Sequence, residues 1–189
     1  KIMQTTKVPE KTSAREIRFF IAIFDFELER RHIPGFRGAI IRKVGKENVL
    51  FHNHLGDDNF LYGYPLIQYK TIRRNPAILC INQGTEEVVK FFEKVDWSLE
   101  IYGQRIDTEI RHITFDYFMC GLCPDPIRYK IWNWFALRED NYAKFTKLKS
   151  DGEKIDFLRR ILVGNMLSLA KGIGWNVDGQ IQAQIPELP

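Results

Sequence analysis

The chain has 189 residues, of which 44% are hydrophobic and 28% are charged, a composition typical of a globular protein with its own core rather than of a disordered tail. Its longest fully apolar run, residues 19–24, is far shorter than the roughly 20 residues that a membrane-spanning helix needs. The net charge of +4 permits a nucleic-acid partner without requiring one.

The first three predicted elements are a strand, a helix and a strand. Residues 17–26 are almost continuously apolar and rich in Ile and Phe, which predicts a buried strand. The chain is expected to break at Pro34 and Gly35, and residues 36–43 then fit a short helix. After a polar loop, residues 64–72 alternate in polarity and predict a second strand.

A strand, a helix and a strand complete the first half. A turn at residues 74–76 precedes a predicted strand at residues 77–81. Residues 85–95 predict an amphipathic helix with Thr85 as its N-cap, and residues 97–102 predict the last strand. This order of elements is that of a ferredoxin-like domain.

The second half predicts a further domain of the same type, shortened at its end. Its long helix has a capping box formed by Ser150 and Glu153 and a stop signal at Gly172. The predicted fold class is therefore α+β, with tandem ferredoxin-like (RRM-like) domains at residues 1–106 and 107–189, the second of them incomplete. Strands of this second domain are predicted at residues 111–118, 127–137 and 175–185.

The cysteines are few and odd in number, which favours a reducing compartment over a disulfide scaffold. No basic-then-apolar leader opens the chain, so a cytoplasmic protein is expected. Cys120 and Cys123 form a lone Cys-x-x-Cys, the spacing of half a zinc site or of a redox pair. Because Pro124 and Pro126 follow where a redox motif would open a helix, we interpret them as cysteines of a strand-end turn, with a zinc site completed by histidines as the alternative.

The segment "FHNHLGDDNFLYGYPLIQYK" places two of the four histidines, His52 and His54, one residue apart. In an extended segment their side chains would lie on the same side, about 7 Å apart, as a general base and a general acid on two sides of one phosphate require. Lys43 and Lys46, just upstream, could neutralise charge on the phosphate oxygens, and Tyr62 could hydrogen-bond a phosphate oxygen or position the nucleophile. The alternative is one packed histidine and one solvated histidine.

Basic side chains recur along the chain among aromatic ones, a combination that nucleic-acid-binding proteins use for charge and stacking. The alternative is a solvated surface for the basic residues and a core position for the aromatic ones. The residues predicted to contact RNA are Lys46, Lys70, Arg73, Arg74, Arg128 and Lys130.

Five segments carry a resemblance to a known family: "PGFRGAIIRK", "FHNHL", "YGYPLIQYK", "PAILCINQG" and "ILVGNMLSLAKGIGW". Together they resemble the b branch of the sixth CRISPR-associated (Cas) family, the endoribonucleases that process CRISPR repeat RNA. The resemblance extends from about residue 33 to the end of the chain. Its most specific part lies between His52 and Lys70.

The resemblance implies tandem ferredoxin-like domains and cleavage of CRISPR repeat RNA by 2′-hydroxyl attack, with no metal or cofactor, giving 2′,3′-cyclic phosphate and 5′-hydroxyl ends. The family's active-site residues match Lys43, His52, His54 and Tyr62. One extra residue between Lys43 and His52 makes Lys46 the alternative lysine. CRISPR repeat RNA is the implied partner, and other CRISPR-associated proteins or a second copy of the chain are compatible with the resemblance.

The chain departs from the family pattern at its end. Family members continue through further strands and a glycine-rich segment that helps to hold RNA, and no residue after Trp175 supplies such a segment. We therefore expect the second domain to be truncated or degenerate. A protein of the same family that binds RNA or supports assembly without cleaving is the alternative function.

Overall fold

This computed structural model describes residues 14–45, 48–52, 63–92, 96, 98–131, 134 and 137–186. The chain divides into two compact units. The first, here the N-terminal unit, is Arg15–Cys120. The second, here the C-terminal unit, consists of Lys1–Ala14 and Gly121–Pro189.

The N-terminal unit has a four-stranded antiparallel sheet in the order β2-β3-β1-β6. This strand order, with helices after the first and third strands, is that of a ferredoxin-like domain. A short helix and a separate hairpin, β4-β5, are additions to that pattern. The elements are β1 (Arg15–Phe24), a 3-10 helix (Arg30–His32), α1 (Ile33–Val44), α2 (Val49–His52), β2 (Ile67–Ile72), β3 (Asn75–Ile81), α3 (Gln83–Phe92), β4 (Ser98–Ile101), β5 (Gln104–Asp107) and β6 (Ile110–Cys120).

The core lies between one face of this sheet and the helices α1 and α3. Along β1 the side chains of Phe20, Ala22 and Phe24 are buried, because alternate residues of a strand point to the same face. Helical spacing brings the apolar side chains of α1 and α3 onto that face. The core residues contributed by the other elements include Phe36, Ile40, Ile78, Cys80 and Val88.

The predictions for the first 92 residues are confirmed as elements but shifted at their ends. Pro34 and Gly35 lie in the first turn of α1 instead of breaking the chain. A backbone N–H in the first turn of a helix has no helical partner, so a proline at that position loses no hydrogen bond. The turn between β2 and β3 is Arg73–Arg74, with φ values of 50° and 72°, as a two-residue hairpin requires. The helix α3 begins at Gln83, before the expected cap.

The fourth strand of the sheet and the domain boundary differ from the prediction. The residues expected to supply that strand, 97–102, correspond to β4, whose partner is β5 in a separate hairpin. The strand that pairs with β1 is β6, with Phe20 opposite Phe115. The N-terminal unit therefore ends after Cys120, whereas the sequence analysis ended it after residue 106.

In the C-terminal unit the described residues form two helices, α4 (Glu139–Phe145) and α5 (Asp151–Gly172), and no strand. The predicted capping box is confirmed, since the Ser150 hydroxyl accepts a hydrogen bond from the backbone N–H of Glu153. The helix α5 closes in a Schellman motif with Gly174 at a φ of 71°.

The strands predicted at residues 127–137 and 175–185 are wrong for the part of these segments that the structure describes. The side chains of Ile127, Tyr129 and Ile131 are more than half exposed, so their alternating pattern has no packed face. None of the described helices is long and apolar enough to cross a membrane.

Gly84 provides a test of the packing between α3 and β2. A Cβ atom on this buried glycine would lie 2.6 Å from the backbone oxygen of Leu66, which already accepts a hydrogen bond from Ile81. We expect Gly84→Ala to lower the free energy of unfolding by about 1–3 kcal/mol, because backbone has to move.

The matched control is Gly164→Ala in α5, where an added Cβ meets no atom within 4 Å. That variant should be about 0.5–1 kcal/mol more stable, because alanine favours helix. Thermal and urea unfolding of both variants measure the effects, and a Gly84→Ala variant as stable as the parent would contradict this account of the contact.

Candidate functional site

A groove runs between α1 and the edge strand β2 and has a volume of about 720 Å³. This volume is within the range of ligand-binding clefts. Its walls are mainly apolar and aromatic, and one of its lining residues is charged, Arg37. The described residues that line this groove, here the α1–β2 groove, are Ile33, Pro34, Arg37, Gly38, Ile41, Phe51, Tyr64, Pro65, Ile67, Gln68 and Tyr69.

The two chain segments that flank the histidine motif both reach this groove. Phe51, which directly precedes His52, is fully buried, and its ring packs against Phe91 with 5.6 Å between ring centroids. The hydroxyl of Tyr69 donates a hydrogen bond of 3.1 Å to the backbone oxygen of Phe51. Tyr64, just after the motif, also lines the groove. Phe51, which precedes the segment 53–62, and Tyr64, which follows it, therefore both lie at the wall of the α1–β2 groove.

The structure describes only part of the predicted catalytic set. His52 ends α2, so its backbone is helical and the strand spacing used to relate it to His54 does not hold at that residue. The side chain of His52, together with Lys46, His54 and Tyr62, lies outside the described residues. Their grouping remains a prediction.

Lys43 lies on a different flank of α1 from the groove. Its ammonium forms an ion pair with the carboxylate of Asp96 and donates hydrogen bonds of 3.2 Å to the Asp96 backbone oxygen and 3.3 Å to the Ser98 hydroxyl. Hydrogen bonds from Lys43 and Ser98 lower the pKa of Asp96 to about 2. In this arrangement Lys43 ties the end of α1 to the start of β4, and its charge is already paired.

Helical spacing explains which basic residue reaches the groove. Pro34, Gly38 and Ile41 recur at helical intervals and line it together with Arg37. Ala39 and Lys43 recur on the other flank, beside β4. The sequence analysis missed Arg37, although a helical projection of the segment "PGFRGAIIRK" would have separated it from Lys43.

The residues predicted to bind RNA are divided between the two units. Burial, together with the charge of Arg30, lowers the pKa of Lys70 on β2. Both arginines of the β2–β3 turn are exposed, and Arg74 forms an ion pair of 2.8 Å with Glu27. Arg128 and Lys130 are exposed residues of the C-terminal unit.

The cysteines do not form a disulfide. Cys80 is buried in the core, Cys120 ends β6 as expected for a strand-end cysteine, and Cys123 is exposed. Burial raises the pKa of the Cys120 thiol. Among the described residues no group of three or more histidines, cysteines and carboxylates could hold a metal ion. His54 is not among these residues.

The ion pair between Lys43 and Asp96 predicts a pH dependence. Because the pKa of Asp96 is lowered from 3.8 to about 2, the pair stabilises the fold above pH 4 and this contribution is lost as the pH falls towards 2. Because Asp96 is exposed, the thermal midpoints of the parent and of Asp96→Asn should differ by only a small, constant amount above pH 4, and they should converge between pH 4 and pH 2. A difference that is unchanged down to pH 2 would contradict the pair.

Comparison with known proteins agrees with this architecture. The chain matches the Cas6b N-terminal domain over residues 15–118 and the Cas6b C-terminal domain over residues 121–188. A crystal structure of Cas6b is similar with a TM-score of 0.70 and 25% sequence identity, over 88% of this chain and 76% of that one. The likeness confirms the α+β fold class with ferredoxin-like domains in tandem.

A curated relative is similar over part of its length. The Methanocaldococcus jannaschii protein MJ0978 is 32% identical over 102 residues, which are 53% of this chain and 66% of that protein, just under two thirds of it. The first Cas6b domain match ends at residue 118 and the second begins at residue 121, close to the boundary that follows Cys120 between the two compact units. Since these matches span most of its residues, the chain belongs to the Cas6b family of CRISPR-associated proteins.

Proposed function

We propose that this protein is a metal-independent endoribonuclease that cleaves CRISPR repeat precursor RNA and leaves 2′,3′-cyclic phosphate and 5′-hydroxyl ends. Membership of the Cas6b family supports this class of activity. The observation that carries it to a site is that Phe51, directly before His52, and Tyr64, just after the motif, line the same groove, with the backbone of Phe51 held by the Tyr69 hydroxyl.

In the proposed reaction the two histidines exchange protons with the two ribose oxygens. One of His52 and His54 takes the proton of the 2′-hydroxyl as the O2′–P bond forms. The other gives a proton to the 5′-oxygen as the P–O5′ bond breaks. Tyr62 positions the reacting phosphate. The cut requires RNA, because the nucleophile is the ribose 2′-hydroxyl.

The lysine of this mechanism is assigned to Lys43, with Lys46 as the alternative. Charge that develops on the phosphate oxygens is best stabilised by a cation held ready for it. Because the Lys43 ammonium is bound to Asp96 and Ser98, it would have to leave that ion pair to act on RNA. This pairing is also the observation that favours the second candidate function, an RNA-binding or assembly protein that does not cleave.

The proposed partners follow from the same site. CRISPR repeat RNA is the substrate, and basic side chains of both units, among them Lys70, Arg73 and Arg128, contact its phosphates. A second copy of the chain and other CRISPR-associated proteins are further proposed partners. We place the reaction in the cytoplasm, where the three cysteines would stay reduced.

The first test is cleavage of a CRISPR repeat RNA from the source genome in EDTA, by the parent and by a His52→Ala, His54→Ala double variant. We expect the parent to cut and the double variant to be slower by at least about 10²-fold, since both proton transfers lose their catalyst. A 2′-deoxy substitution at the cut site should abolish cleavage.

His112→Ala is the matched control, because His112 is an exposed histidine on β6, outside the motif. It should cut at the parent rate. Repeat RNA that is bound by the parent but never cut would contradict the endoribonuclease and support the second candidate function. A requirement for stoichiometric zinc would contradict the metal-independent mechanism.

A pair of variants separates the two roles open to Lys43. If its cation acts on the phosphate, Lys43→Met should slow cleavage about 10²-fold, whereas Asp96→Asn should keep the parent rate because the lysine is only released. Single-turnover rates at saturating protein measure this difference. Equal rates for Lys43→Met and the parent would leave Lys43 as a structural link and move the catalytic role to Lys46.

A further inference from the structure

We propose that the α1–β2 groove holds the nucleotide next to the reacting phosphate and that Arg37 binds a phosphate of that nucleotide. This inference rests on the proposed function and adds a substrate-binding residue to it. Three features of the groove support binding of a nucleotide: the character of its walls, the location of its charge and its position relative to the histidine motif.

The walls of the groove suit a nucleotide. Tyr64 and Tyr69 provide aromatic surface, on which a base stacks without regard to its sequence. Gly38 lines the groove without a side chain of its own, and a Cβ added there would lie 3.6 Å from the guanidinium of Arg42.

The charge of the groove is concentrated at one residue. Arg37 is half-buried and is the charged side chain among the described residues of the lining. A guanidinium offers a planar fork of donors that matches two phosphate oxygens, and apolar walls reduce the screening of its charge. The charge of Arg37 acts on Tyr69, where it opposes the rise in the tyrosine pKa that burial causes. Burial is the larger of the two effects, so the pKa of Tyr69 is raised and its hydroxyl stays a donor to Phe51 at neutral pH.

The position of the groove relates Arg37 to the chemistry. The chain enters the histidine motif at Phe51 and leaves it towards Tyr64, and both residues line the groove together with Arg37. Arg42, the neighbouring arginine of α1, instead lines the separate cleft beside β4 and donates to the backbone oxygen of Glu100. The same helix therefore offers a test residue and a matched control that carry the same charge.

The experiment measures the affinity for repeat RNA that a 2′-deoxy residue at the cut site makes uncleavable. The contribution of the groove to binding is therefore measured whether or not the protein cleaves RNA. The RNA is prepared as a series in which one phosphate at a time is replaced by an uncharged methylphosphonate. For the parent, we expect one replacement near the cut site to weaken binding about tenfold to a hundredfold. In Arg37→Met that penalty should disappear.

Salt dependence gives a second readout that a merely structural role would not change. Loss of one contact to a single-stranded phosphate should reduce the slope of log affinity against log salt by about 0.7 for Arg37→Met. Arg37→Lys should keep the slope and retain part of the methylphosphonate penalty, because it keeps the charge but not the fork. This variant also serves as the test if Arg37→Met does not fold, as its thermal unfolding will show.

The outcomes separate the two proposals. A methylphosphonate profile that is the same in Arg37→Met and the parent, or that Arg42→Met changes in the same way, overturns the role of Arg37 and leaves the proposed function intact. A folded parent that does not bind the repeat RNA overturns the proposed function itself.

Discussion

The packing of α1 on the sheet is the constraint on which the rest of the N-terminal unit depends. Phe36 and Ile40 are fully buried and fix which stripe of the helix faces the core. A helix held along one stripe has two flanks, and each meets a different neighbour. One flank forms the groove with β2 and contains Arg37, and the other meets β4 and contains Lys43. The rotation of one helix therefore separates two basic residues that are only six positions apart.

The elements that could be predicted are those whose signal is local. Continuous apolar runs gave β1 and β3, and the capping box gave the start of α5. The strand β6 was recognised as a strand but assigned to the wrong unit, because strand pairing is a contact between distant residues. Almost all of its side chains are exposed, so nothing in its pattern indicated that β1 was its partner.

In the candidate site, too, features encoded by neighbouring residues could be predicted, whereas contacts between residues far apart in the chain could not. The neighbourhood of His52 could be located from a motif, and the structure anchors that motif through Phe51 and Tyr69. The ion pair of Lys43 could not be predicted, because Asp96 is 53 residues away and precedes a hairpin whose first strand was expected to join the main sheet. Residue type and motif alone do not determine whether a lysine is paired; its environment does.

Arg37 and Lys43 of α1 lie in different surroundings, and this difference bears on how RNA would engage them. The Lys43 pair is solvated on its carboxylate side, since Asp96 is highly exposed. Such a pair contributes little to stability and exchanges partners at low cost. Arg37 is half-buried among apolar and aromatic side chains, where a charge is less screened and a phosphate gains more from it. A phosphate that enters the groove is therefore expected to interact with Arg37, and a phosphate on the other flank of α1 would compete with Asp96 for Lys43.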